Sequence, residues 1–277
     1  MNRATSAKMI LLYLVLIFGA ITMLVPFYWM IATSFKTGAK VLELPPKWIP
    51  DPISVESYLT AWTKVNFARY TLNSTIVVVA DLFGTLLSCA MVGFGLSMFQ
   101  FKLKTPIYLA MISTLILPSQ VTLIPTYFIW KNLNAFDTYF PLIVPSFLGG
   151  AFGIFLMHQF FKSLPRELFE AALIDGYRPW GVLWRIYIPL SKPALSALAV
   201  FTFIGAWSNT IGPLLYLQSK HLYTLPLGLL FLRSNLNSFE TPIIMAGAVI
   251  TTLPVIVVFL IAQRHFIQGV ATAGLKG

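Results

Sequence analysis

The chain has 277 residues, 57% of them hydrophobic and 10% charged. Soluble domains carry roughly 45–50% apolar and about 25% charged residues, so a water-facing globule is excluded and the length is better counted in membrane spans of roughly 20 residues each. The net charge of +10 does not mark a nucleic-acid binder, because the basic residues sit in short connections between apolar runs, where cytoplasmic loops of membrane proteins collect Lys and Arg.

The first apolar run, residues 9–35, follows Arg3 and Lys8. It is longer than the apolar region of a secretory signal, and no small-residue cleavage site closes it, so an uncleaved span is expected. The connection after it holds Pro45-Pro46 and Pro50-Asp51-Pro52, which read as extended, non-helical chain. Further spans are predicted over 72–99, 106–130, 139–161, 193–217 and 242–262. The fold class is therefore all-α, a polytopic protein with six transmembrane helices. The lone cysteine, Cys89, lies inside the second run. It excludes an intrachain disulfide and a Cys-rich metal site and reads as a small packing residue.

Orientation follows from counting basic residues by side. With the N-terminus cytoplasmic, eleven of the 19 Lys and Arg fall inside, among them Lys162, Arg166, Arg178, Arg185 and Lys192. That bias places both termini inside. Two segments are neither apolar spans nor short turns: 162–189 on the inner side and 218–241 on the outer.

The inner segment reads as two short helices with a bend. Ser163 can cap the first, Pro165 suits its first turn, and Glu167 and Glu170 favour its N-terminal half. Gly176 is placed to end it in a left-handed conformation, and Pro179 to start the next. Trp180, Leu183, Trp184 and Tyr187 recur at helical spacing and are expected on one face. Pro189 and Pro193 break the chain before the fifth span. Such a segment is either a docking knob for another protein or an amphipathic helix lying on lipid headgroups.

The pattern Glu170-Ala171-Ala172, Gly176 and Ile186-Tyr187-Ile188-Pro189 resembles the EAA signature of the permease subunits of binding-protein-dependent importers. Ile188 stands where that pattern has Leu. Along nearly its whole length the chain is similar to the maltose-type sugar permeases, the smaller of the two permeases in such importers. The resemblance rests on Thr33-Ser34-Phe35-Lys36 with Pro45-Pro46-Lys47-Trp48, on Pro118 through Pro125, on Phe152 through Leu156, on Tyr223 through Gly228, and on Gln263-Arg264 with Gln268-Gly269 to Gly277. It implies the type I importer permease fold and a division into 1–70, a core of 71–265 containing the EAA loop 163–190, and a tail of 266–277. It also implies ATPase coupling through Glu170, Ala171, Ala172, Asp175, Gly176 and Pro189. The implied partners are a second related permease, two ATP-binding subunits and an extracytoplasmic solute-binding protein, in a prokaryotic plasma membrane. The implied substrate is a carbohydrate, with glycerol 3-phosphate or another polyol as the alternative. In the fifth span the family's usual Trp-Asn is Trp207-Ser208 here, which puts a family-typical sugar contact in question.

Polar residues inside spans are functional suspects. Asp81 either faces a substrate path or pairs across helices. Gln120, Ser208 and Asn209 either hydrogen-bond a sugar, with Trp207 stacking on its ring, or tie helices together. His158 and His265 lie near the inner ends of spans and have no ligand partner at i+4, so they read as interfacial and no metal is expected. No Gly-x-Ser-x-Gly, His-Glu-x-x-His or P-loop motif occurs, so no enzyme activity, cofactor or intrinsic ATP hydrolysis is expected. An ion-coupled transporter is the competing class; it would place several ionisable groups at the midplane, where Asp81 stands alone.

Overall fold

The computed structural model describes residues 3–235 and 240–274 and is helical throughout, with no strand among the described residues. Four helical stretches are long and apolar enough to cross a membrane: Lys8–Ser34, Phe67–Met98, Phe140–Ser163 and Thr241–Gln263. Two bent pairs, Lys104–Ile116 with Gln120–Asn132 and Pro179–Leu190 with Lys192–Trp207, bring the number to six if each is one span.

The bends have local causes. The predicted third span is not one straight helix. Its halves meet at 107°, because Pro118 forces the preceding Leu117 out of helical geometry, to ψ 122°. The fourth breaks after a 3-10 turn at Gly149, where φ is +84°. The fifth stops at Trp207 and restarts at Ile211. The last helix runs Thr241–Gly274 and so reaches into the segment 266–277.

Two compact units divide the chain. The first comprises 1–68 and 228–253. Its leading helix α1 (Arg3–Ser34) carries apolar side chains on all sides, and its most apolar window is 0% buried by this chain. Such a helix is built for lipid or another subunit. Its end is tied back by polar contacts. The Ser34 and Tyr58 hydroxyls lie 2.7 Å apart, and the Ser54 amide donates to the Phe35 carbonyl at 2.8 Å. The buried Lys36 donates to the Lys47 carbonyl at 2.6 Å and sits 4.4 Å over the Trp29 ring. Helix α2 (Glu56–Thr63) completes this loop.

The second unit comprises 69–227 and 254–277. Its helices are most of α3 (Phe67–Met98), then α4 (Lys104–Ser113), α5 (Ser119–Asn132), α6 (Phe140–Ile143) and α7 (Ala151–Ser163). After them come α8 (Glu167–Ile174), α9 (Pro179–Val182), α10 (Ile188–Leu190), α11 (Lys192–Trp207) and α12 (Ile211–Tyr216). Its core packs Cys89, Phe94 and Leu96 of α3 against Ile154, Met157 and Phe161 of α7 and Leu198 of α11. The approach is close because small residues face each other, as helix contacts in lipid require. A Cβ on Gly153 would stand 2.6 Å from the Cys89 sulfur, and one on Gly93 would stand 2.8 Å from the Met157 Cβ. His158, expected at the interface, is buried with its ring 4.4 Å from that of Tyr108. The side chain of His265 lies outside the described residues.

Candidate functional site

The segment joining α7 to α11 folds as a helical knob. Ser163 does not cap α8; its hydroxyl returns to the Phe160 carbonyl at 2.7 Å, within α7. Arg166 is the residue before α8, and its side chain pairs with Glu170 at 3.2 Å. Both partners are 59% exposed, so this pair adds only about 0.3–0.5 kcal/mol. Helix α8 divides its faces: Phe169 and Ala172 are buried, while Glu170, Ala171, Leu173 and Asp175 are exposed and Ile174 is 87% exposed.

The helix ends in a Schellman turn. The Tyr177 amide donates to the Ala172 carbonyl at 3.0 Å and the Gly176 amide to Leu173 at 3.1 Å. Gly176 adopts φ +83°, the left-handed geometry that this turn demands. Pro179 opens α9 as expected. The four residues expected on one face part company, however. Leu183 and Tyr187 are buried, whereas Trp180 and Trp184 are exposed and meet edge to face at 5.7 Å. A π-helical turn over Leu183–Tyr187 widens the register and separates the two pairs. Pro189 is exposed on α10 and has no N–H to continue the ladder. The chain then turns by 80° into α11.

The buried side of the knob is held by an aromatic hub that sequence reading missed. Phe94 of α3 makes edge contacts with Phe161 at 5.9 Å, Phe169 at 5.9 Å and Tyr187 at 5.1 Å. Pairs of this kind contribute about 0.5–1.5 kcal/mol each beyond burial.

At the other end of the unit, residues 217–225 are pinned by side chains from α3 and from the turn before α6. Asp137, at φ 56°, accepts from the amides of Gln218 (2.9 Å) and Ser219 (2.8 Å) and from the Ser219 hydroxyl. The Ser219 hydroxyl foremost, then the Ser219 and Gln218 amides, hold the Asp137 carboxyl below its ordinary value of 3.8. Asn73 donates to the carbonyls of His221 and Tyr223, both at 2.9 Å, and Arg69 donates to His221 at 2.9 Å. The neighbouring stretch 236–239, which includes part of the polar run after Arg233, lies outside the described residues.

Beneath that platform is a cavity of about 300 Å³. Asp81 and Asn209 both line it, together with Ser74, Thr202 and Thr224. The other three suspects lie elsewhere. Trp207 is buried and stacked on Phe203 at 5.6 Å, Ser208 is exposed at the end of α11, and Gln120 is exposed on α5. No cluster of His, Cys, Asp or Glu suited to a metal occurs among the described residues.

The family model described as "Binding-protein-dependent transport system inner membrane component" matches residues 66–272. The chain belongs to this family. It is a multi-pass membrane permease of an ATP-driven, binding-protein-dependent importer, and as such it works with an ATPase and a solute-binding protein. The permease is 31% identical to the diacetylchitobiose uptake system permease protein NgcG of Streptomyces coelicolor, over 92% of this chain and 85% of that one. It is also 31% identical to the sn-glycerol-3-phosphate transport system permease protein UgpE of Yersinia pestis, over 93% and 94%. Among solved structures it is similar to a chain of a bacterial ABC transporter involved in the import of the acidic polysaccharide alginate. The TM-score is 0.86 at 24% identity, covering 96% of this chain and 99% of that one. That likeness establishes the type I permease fold.

Proposed function

We propose that this permease imports a carbohydrate by alternating access, driven by ATP hydrolysis on a separate subunit. The observation that carries the reading is the knob at α8. Its outer face presents Glu170, Ala171, Leu173, Ile174 and Asp175 to a partner, its turn is set by Gly176, and its inner face is locked to α3 through Phe94. A partner that pushes on this knob pushes on the spans. Glu170, Ala171, Ala172, Asp175, Gly176 and Pro189 are the coupling residues in this reading, and Asp81 and Asn209 belong to the solute path. The assembly comprises a second related permease, two ATPase subunits and an extracytoplasmic binding protein in a prokaryotic plasma membrane, with both termini of this chain cytoplasmic and the 217–225 platform outside.

The carbohydrate assignment is supported by the sugar permease NgcG among the relatives. A second reading, glycerol 3-phosphate or a related polyol, is favoured by UgpE at equal identity. The deciding experiment purifies the assembled complex with its binding protein, identifies the bound solute by mass spectrometry and measures its uptake into liposomes. ATP-dependent uptake of a sugar is expected. Uptake that persists without ATP would move the protein to the ion-coupled class, and a phosphorylated solute would favour the second reading.

A further inference from the structure

Resting on that reading, we infer that the cavity lined by Asp81, Asn209, Ser74, Thr202 and Thr224 is a solute subsite within this permease that accepts one uncharged, hydroxyl-rich unit and rejects anions. Its polar groups are complementary to hydroxyls. Ser74 Oγ accepts from the Leu225 amide at 2.7 Å, which leaves its own proton free to donate. Asn209 Oδ1 accepts from the Gly212 amide at 3.0 Å, which leaves the side-chain NH₂ as a donor. Thr224 is buried, and its Oγ1 has no hydrogen-bond partner within the described chain. That oxygen is too deeply buried to meet a solute directly, so Thr224 shapes the wall, and the donors that face the cavity come from Ser74 and Asn209. Asp81 supplies acceptor lone pairs. The site therefore offers both donors and an anionic acceptor, and a sugar or polyol hydroxyl, which gives and takes, satisfies both.

The same set discriminates by charge. Among the described residues, Asp81 is the only ionisable one lining the cavity, with no Lys, Arg or His beside it. A phosphate or carboxylate placed there would face the Asp81 carboxyl and lose its hydration with no cation among the described lining residues to offset its charge. The volume, about 300 Å³, is at the small end of ligand pockets, so it suits one ring or a short polyol and not an extended chain. Among the described residues no aromatic side chain lines the cavity, and Trp207 is stacked away on Phe203. Recognition therefore runs through hydrogen bonds.

The test uses the complete complex with its ATPase and second permease in nanodiscs, in a Cys89→Ala background, with Thr202→Cys as reporter, at a cavity-lining position that is partly exposed. The rate of alkylation by a small neutral maleimide is read with glucose, sorbitol or sn-glycerol 3-phosphate present. Glucose or sorbitol is expected to slow labelling at least threefold, and glycerol 3-phosphate is expected to leave it unchanged. Adding Asp81→Asn should let glycerol 3-phosphate protect as well as sorbitol does. Ala206→Cys, also on the cavity wall and partly exposed, provides a second reporter if Thr202→Cys does not assemble. Equal protection by glycerol 3-phosphate and sorbitol with Asp81 intact would overturn the charge selection. Protection by none of the three at either reporter would overturn the subsite. ATP-dependent uptake of the binding protein's own solute, measured on the same preparation, separates these outcomes from failure of the importer reading itself.

Discussion

Gly176 is open to a perturbation whose size can be worked out from its surroundings. Its φ is +83°, and a Cβ built there would meet no atom of the described residues beyond its two chain neighbours within 4 Å. The glycine is thus required by the backbone angle and not by crowding within the permease. An L-residue in the left-handed region costs about 1–2 kcal/mol, which shifts the native turn by roughly 5- to 30-fold against its alternatives. Asn tolerates this region best of the non-glycine residues, and a β-branched side chain is a genuine outlier there. Transport and binding-protein-stimulated ATPase activity in the reconstituted complex should therefore rank Gly176 and Gly176→Asn close together, Gly176→Ala about tenfold lower, and Gly176→Val at the floor. Solute affinity of the binding protein should not change in any of them. If Gly176→Asn is as damaging as Gly176→Val, the turn geometry is not the reason for glycine. Crowding by the docked ATPase would then be the cause.

Gly153→Ala should destabilise the permease by about 1–3 kcal/mol through overpacking, because its new Cβ would meet the Cys89 sulfur at 2.6 Å. Cys89→Ala in the same chain should recover about 0.5–2 kcal/mol of that loss as a coupling term; purely additive melting temperatures for the complex would refute the contact. For Asp137 the sign is fixed by its lowered pKa: the clamp on 218 and 219 is fully formed above the unfolded value of 3.8 and is lost only as pH falls through the lower folded value. Amide-exchange protection at Gln218 and Ser219 should therefore be flat between about pH 7 and 5, and Asp137→Asn, which cannot accept from the Ser219 hydroxyl at its amide nitrogen, should reduce it. A fall in protection across that range with Asp137 intact would contradict the assignment.

Much of this organisation was legible because it is local. Apolar runs of span length, the Gly176 turn and the Pro179 start are decided by neighbouring residues, and each appears where the sequence places it. The breaks were less legible, because a run of apolar residues looks alike whether straight or bent. Only Pro118 marks the bend in the third span and Gly149 the interruption in the fourth, and Pro is otherwise tolerated, as Pro26 within α1 shows. The misplaced face of Trp180 and Trp184 arose from assuming an α-helical period across a π turn. The aromatic hub, the Asp137 clamp and the company of Asp81 were not legible at all. Each joins side chains far apart in sequence, and no periodicity encodes such a meeting.

The position of the knob relative to the cavity follows from two helices that reach both. Helix α3 carries Phe94 in the hub and, further toward its N-terminus, Asp81 and Ser74 in the cavity wall. Helix α11 starts at Lys192, just after the 80° bend that closes the knob, and brings Thr202 to the cavity, with Asn209 directly beyond its end. Over its 16 residues α11 spans about 24 Å at 1.5 Å per residue. A rigid helix hinged at one end must move at the other, so a small tilt at the knob displaces Thr202 and Asn209 relative to Asp81. A site assembled from α3 on one side and α11 on the other cannot keep the same donor and acceptor spacing through such a tilt. If that cavity is the proposed subsite, it would bind its solute differently in the two states, which is the thermodynamic requirement for ATP to drive net import.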